Sequence, residues 1–119
     1  MEPKSEVPRI VSKESVDWIS HPRFAGILMK PLLTAVDNAL ANVSLVRVPP
    51  GHQVDRHIHS TQVETVYFLA GQAMLTVGAI EKSFAEGEIV AIPIGMEHAL
   101  RNVGTQDIEV LAFFTPPIK

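Results

Sequence analysis

The residues with the most chemistry in this chain sit close together: His57, His59 and Glu64, inside GHQVDRHIHSTQVETVYFLAG at positions 51 to 71. Two histidines two residues apart on an extended strand face the same side, with Cα atoms about 6.6 Å apart. Imidazoles at that spacing can converge on one ion lying between and above them. Glu64 follows after Ser60 to Val63, a link long enough to reverse the chain and turn the carboxylate toward the pair. Blander explanations exist for each residue. A buried histidine often just satisfies a hydrogen bond, HxH alone is a weak signal, and a glutamate five residues on can be a salt-bridge partner. These three residues alone leave a metal site and a structural ion pair equally open.

The elements that position them raise the stakes for Glu64. Val63 to Leu69, VETVYFL, is β-branched and aromatic and predicts a strand. Ala70-Gly71 reads as a two-residue turn, with Gln72 to Val77 returning as the hairpin partner. That register sets Phe68 opposite Ala73, Val66 opposite Leu75 and Glu64 opposite Val77. Alternation then gathers Glu64, Val66, Phe68, Ala73, Leu75 and Val77 on one side, leaving Thr65, Tyr67, Met74 and Thr76 on the more polar other side. The first side is the expected interior, with Val66, Phe68, Leu75 and Val77 lining a pocket beside Glu64. A carboxylate facing an apolar interior needs a partner, because an unpaired buried charge is very costly.

Further strands are expected at Ile27 to Thr34, Ala39 to Val48, Glu81 to Ala85, Ile89 to Ile92, His98 to Val103 and Ile108 to Thr115, separated by Pro, Gly and Asp-Asn turn signals. Nine prolines and seven glycines in 119 residues disfavour long helices, and the length suits one domain. The expected fold is all-β. Residues 1–9, charged and carrying two prolines, read as a flexible arm, either disordered or an edge strand for another subunit. Residues 10–119 form the domain.

Composition excludes several functions. A net charge of −3, from ten basic and thirteen acidic residues, offers no basic stripe for nucleic acid and no polybasic segment for a membrane surface. No run of eighteen apolar residues exists to span a bilayer. The absence of cysteine removes disulfides, thiolate ligands and a cysteine nucleophile, and the start MEPKSEVPRI lacks the apolar core of a signal peptide, which together favour the cytoplasm.

Two spaced patterns now join the ligand candidates. Positions 51 to 71 fit G-(x)5-H-x-H-(x)4-E-(x)6-G at Gly51, His57, His59, Glu64 and Gly71. Positions 87 to 102, GEIVAIPIGMEHALRN, fit G-(x)5-P-x-G-(x)2-H-(x)3-N at Gly87, Pro93, Gly95, His98 and Asn102. The chain thereby resembles the small single-domain cupins, with both signature motifs in order and a short spacer, Gln72 to Glu86, between them. The resemblance implies a double-stranded β-helix, a jelly-roll barrel of two antiparallel sheets of the RmlC-like kind. It also implies that His57, His59, Glu64 and His98 are the metal ligands. Residue chemistry agrees: Gly51 and Gly95 can adopt the positive φ of tight turns, and Asn102 can tie down a turn.

Three neutral imidazoles and one carboxylate leave a divalent ion with a net charge of about +1 and open positions for water, oxygen or a chelating anion. The ligand class favoured is a small anionic carboxylate, enolate or hydroxy-acid. Mn, Fe, Ni, Zn and Co all accept this donor set. The resemblance permits dioxygenase, decarboxylase and isomerase chemistry, and a non-catalytic metal-dependent binding or sensing module is the alternative. Candidates for acid–base or substrate-anchoring work are few. His52 follows Gly51 near the expected barrel mouth but suits a solvated turn, and Arg47 can anchor a carboxylate but suits the surface. Glu97 and Tyr67 point away from the metal by alternation. His21 reads as a turn residue, and Trp18 as core or subunit contact. The resemblance further implies a homodimer.

Overall fold

The computed structural model describes residues 8–118. Ten strands follow a single 3-10 turn at Lys13–Ser15: β1 Ile19–Ser20, β2 Leu28–Leu33, β3 Asn42–Val48, β4 Gln53–His57, β5 Val63–Ala70, β6 Gln72–Val77, β7 Ile80–Ala85, β8 Ile89–Ile92, β9 His98–Asn102 and β10 Ile108–Thr115. They form two antiparallel sheets, a six-stranded one in the order β1-β2-β3-β10-β5-β8 and a four-stranded one in the order β4-β9-β6-β7. The fold is the all-β jelly roll expected, with no helix long and apolar enough to cross a membrane among the described residues.

Alternation explains the core. Val66, Phe68, Ala73 and Leu75, one residue in two along β5 and β6, are buried together with Val48, Phe84, Ile92, Leu100, Ile108 and Val110. Tyr67, one step out of phase, is exposed. The expected hairpin between β5 and β6 does not form, however. Strand β5 pairs with β10 and β8, whereas β6 pairs with β7 and β9. At Gly71, with φ +94°, the chain crosses from one sheet to the other. A Cβ there would lie 2.8 Å from the Asp107 carbonyl oxygen, so glycine is required by conformation and by space. The error has a physical reason. Period-two patterning says which side chains share a volume, and two facing sheets satisfy it as well as two rungs of one ladder.

Smaller differences matter for the site. Strand β3 begins at Asn42 rather than Ala39, because the Asn38 carboxamide oxygen accepts from the Leu40 and Ala41 amides and holds that stretch in a turn. The expected flexible arm lies largely outside the described residues. Arg9, at its end, sits 3.5 Å from Asp37. Asn102 does tie down its turn, donating to the Val48 and Gln106 carbonyls at 2.9 and 2.8 Å and accepting from the Gly104 amide at 2.8 Å.

Candidate metal centre

His57 and His98 come from the four-stranded sheet, as directly opposed residues of β4 and β9. A register shift between Val54 and His57 marks a bulge just before the ligand, the kind of irregularity that re-aims a side chain. His59 lies two residues beyond the end of β4, not on a strand as its spacing suggested. Its carbonyl oxygen accepts from the Gly95 amide at 2.8 Å, stitching it to the turn before β9. Gly95 takes φ +75° in that turn. Glu64 reaches across from β5 in the opposite sheet.

These four side chains meet. One donor atom from each lies within 4.8 Å of all the others. Glu64 Oε1 stands 2.9 Å from His98 Nε2 and 3.4 Å from His59 Nε2, and the three side chains are only 6 to 13% exposed. Donors around one ion at about 2.1 Å lie roughly 3 to 4 Å from each other, so the cluster fits a divalent ion with small side-chain adjustments. The orientation of two rings supports the fit. The Nδ1 atoms of His57 and His98 face the Asp55 and Met96 carbonyl oxygens at 2.6 and 2.9 Å. A carbonyl can only accept, so Nδ1 carries the proton and each ring turns Nε2 inward, the arrangement that fixes a metal-binding tautomer.

Electrostatics of the metal-free cluster follow from burial and contact. Burial lowers His57 to about 4, keeping it neutral. For Glu64 burial alone would raise the carboxyl, but hydrogen bonds from His59 and His98 prevail and bring it down to about 2. For His98 burial is the largest influence and lowers it, but the bond to Glu64, the Met96 carbonyl and the Glu64 charge together outweigh burial, with a net upward shift. Without metal, the His98 ring bonded to Glu64 therefore holds a proton more readily than a free imidazole. A divalent ion can replace that proton.

The ligands open onto a cavity of about 400 Å³ between the sheets. Of the four expected lining residues, Val66 and Leu75 border it. Phe68 is fully buried beneath, edge-on to Phe84 with ring centroids 5.0 Å apart, and Val77 packs against the core opposite His98. Arg47 is not near the ligands. It points outward from β3, pairs with Glu109 at 2.6 Å and covers the Trp18 ring at 4.1 Å. Trp18 is accordingly a surface platform between Arg47 and Lys30 rather than core. His52 is exposed, with Nδ1 3.2 Å from the Pro50 carbonyl oxygen, and its ring lies against Gly26. Glu97 faces away from the ligands, bonded to Arg56 at 2.6 Å.

A segment that nothing in the sequence marks out roofs the site. His21, Pro22, Arg23 and Phe24 all border the cavity, and the Phe24 ring lies 4.8 Å from that of His57. His21 Nδ1 accepts from the Arg23 and Phe24 amides at 3.0 and 3.3 Å, so a neutral ring carries its proton on Nε2. Burial lowers its pKa, with Arg23 adding to the effect. A His-Pro step reads locally as a turn, and nothing in it encodes which distant ring the turn will cover.

Comparison with known proteins places the barrel. A mannose-1-phosphate guanylyltransferase of Escherichia coli is 36% identical over 70 residues, 59% of this chain but only 15% of that protein. An oxalate-binding protein of Thermotoga maritima is 27% identical over 78 residues, 66% of this chain and 64% of its own length. The polyketide synthase CurC of Streptomyces cyaneus is 27% identical over 111 residues, 92% of this chain and 70% of that one. Among solved structures, the polyketide cyclase RemF of Streptomyces resistomycificus superposes with a TM-score of 0.80 at 18% identity, covering 92% of this chain and 80% of its own. Residues 44–114, from β3 through all four ligand candidates into β10, match the family model described as the cupin domain. The chain belongs to the cupin family.

Proposed function

We propose that this cupin holds one divalent transition ion through His57, His59, Glu64 and His98 and acts as an enzyme on an organic anion bound at that ion. The observation that carries the reading is the convergence of three imidazoles and one carboxylate at the edge of an open cavity. The bound ion would supply Lewis acidity and a coordination point for the anion's oxygens. The chain's own residues do the rest. His57 and His98 keep their ligand nitrogens inward through the Asp55 and Met96 carbonyls. Phe24 and Phe114, 4.8 and 5.0 Å from the His57 and His59 rings, keep water off two sides of the cluster. His21, with a proton on Nε2, is the group available to hold or pass a proton at the cavity wall. Relatives that include an oxalate-binding protein and a polyketide synthase protein support an oxygen-rich ligand without choosing one.

The test is turnover by the metal-loaded protein over a panel of organic acids, with and without oxygen. Consumption of any acid that disappears with the metal supports the enzyme. Binding without turnover across the panel would instead support a sensing module. One observation favours that second reading: besides the four ligands, His21 and Arg23 are the only ionisable side chains among the described residues bordering the cavity. A cytoplasmic setting and a homodimer complete the proposal. The dimer is supported by the outer row of the six-stranded sheet, where Leu111, Tyr67 and Ile89 lie side by side, with Tyr67 38% and Ile89 63% exposed. Light scattering giving about 26 kDa, twice the 13.0 kDa chain, is the expected result.

A further inference from the structure

The cavity's walls have a composition that the four ligands do not explain. Across the six-stranded sheet, one row of directly paired residues runs Pro31, Ser44, Ala112, Val66. All four border the cavity. The two central residues are small and buried, 4% exposed for Ser44 and 2% for Ala112. Larger side chains in the neighbouring rows, among them Met29, Val46 and Phe114, also border the space. Small residues at the centre of an inner face leave a hollow that ordinary core residues would have filled. The whole cavity, at about 400 Å³, falls within the roughly 300 to 1,000 Å³ typical of pockets for drug-sized molecules.

Charge is as restrictive as shape. Among the described residues bordering the cavity, the only charged side chains besides the metal-ligand set are those of Arg23, which is exposed at the opening, and His21 when protonated. A divalent ion with Glu64 carries a net charge of about +1. A monoanion bound there brings the buried total to zero. A dianion leaves one further negative charge that only Arg23, at the exposed opening, can offset, and deeper against the apolar walls that charge is costly.

Resting on the metal-dependent reading above, we infer that the ligand is a monoanionic oxygen chelator with a ring-sized apolar body, the body occupying the hollow over Ser44 and Ala112. A small dianion such as oxalate leaves the apolar volume empty and needs Arg23 at the opening for its second charge. The ligand class is set by two independent properties of the barrel, its apolar volume and its charge balance.

Nickel-loaded protein titrated calorimetrically with pyruvate, phenylpyruvate and oxalate tests both. Pyruvate and phenylpyruvate share one chelating head and differ by a phenyl ring, whose burial contributes about 30-fold in affinity. Phenylpyruvate is expected to bind about 30-fold tighter than pyruvate, and oxalate no tighter than pyruvate. Filling the hollow with Ala112→Leu should reduce the phenylpyruvate-to-pyruvate ratio to below about 3. Ser44→Val, a milder change at the adjoining position, should reduce the same ratio several-fold and carries the test where the leucine variant does not fold. Phenylpyruvate no tighter than pyruvate, oxalate tighter than both, or a ratio untouched by either variant would overturn the inference while leaving metal-dependent anion binding intact. No binding of any of the three to protein shown to hold nickel would overturn the inference and the underlying reading together.

Discussion

Histidines do opposite things in two regions of this molecule. In the cluster, His57 and His98 point Nδ1 at backbone carbonyls and so present Nε2 to one another's space. In the segment that roofs it, His21 turns Nδ1 toward two backbone amides and becomes an acceptor that shapes a turn, while His52 packs its exposed ring on Gly26. The side chain is the same, and the backbone group facing one ring nitrogen sets the tautomer. A carbonyl frees the far nitrogen to act as a ligand where other donors converge, which they do not at His52, whose Nδ1 also faces a carbonyl; an amide makes the far nitrogen a proton donor. The strand ladders hold the first region, and a positive-φ glycine and aromatic contacts hold the second.

The sharpest way to break this contrast is to remove a ligand from the first region. Glu64→Gln removes the cluster's only negative charge, and metal affinity measured by competition with a chelator is expected to fall by about a hundredfold or more. An affinity within a few-fold of the parent would remove Glu64 from the ligand set.

Why the first region was legible and the second was not follows from the range of the forces involved. His57, His59 and Glu64 lie within eight residues, and their common side is a consequence of chain geometry over that short span. Even there the spacing overreached, since His59 lies past the end of β4 and is held by a bond to Gly95. The inner faces of β5 and β6 were legible from alternation, while their membership in different sheets was not, because that depends on β8, β9 and β10 competing for the same edges. Phe24 on His57, Gly26 under His52 and Trp18 between Arg47 and Lys30 are contacts across 33, 26, and 12 to 29 residues respectively, set by packing alone. Arg47 illustrates the cost: its type suits a substrate carboxylate, but the strand parity that points Val46 inward points Arg47 out, toward Glu109.

The roofing segment should respond to backbone changes more than to loss of its histidine. At Gly26, φ is +79° and an added Cβ would come within 2.3 Å of the His52 ring. Gly26→Ala is expected to cost about 2 kcal/mol in denaturant unfolding, from strain and collision together. Adding His52→Ala should recover the collision part and leave the strain. A double variant no more stable than the single one would mean that the ring yields freely.

Acidity separates the members of the cluster by sign. In the metal-free protein His57, lowered to about 4, stays neutral while the unfolded chain gains its proton, so stability falls as pH drops from 6.5 toward 4. Glu64, lowered to about 2, stabilises above 4.5 and loses that contribution as pH falls toward 2. His98, raised, contributes below 6.5 and loses its contribution as pH climbs through its folded value. Metal must displace that His98 proton, so affinity is expected to rise by up to about tenfold per pH unit just above 6.5 before levelling. An affinity flat from pH 6 to 8 would count against an imidazolium at position 98. The smallest effect belongs to His21→Ala, which should change metal affinity less than about threefold, as measured by the same competition.

The central claim is that one ion sits among four side chains from two sheets. A crystal of nickel-loaded protein, with anomalous scattering recorded on either side of the nickel absorption edge, tests it most directly. The account predicts a single strong peak within about 2.0 to 2.2 Å of one atom each from His57, His59, Glu64 and His98. A peak elsewhere on the chain, or a Glu64 carboxylate still bonded to His98 with no peak between the rings, would contradict it.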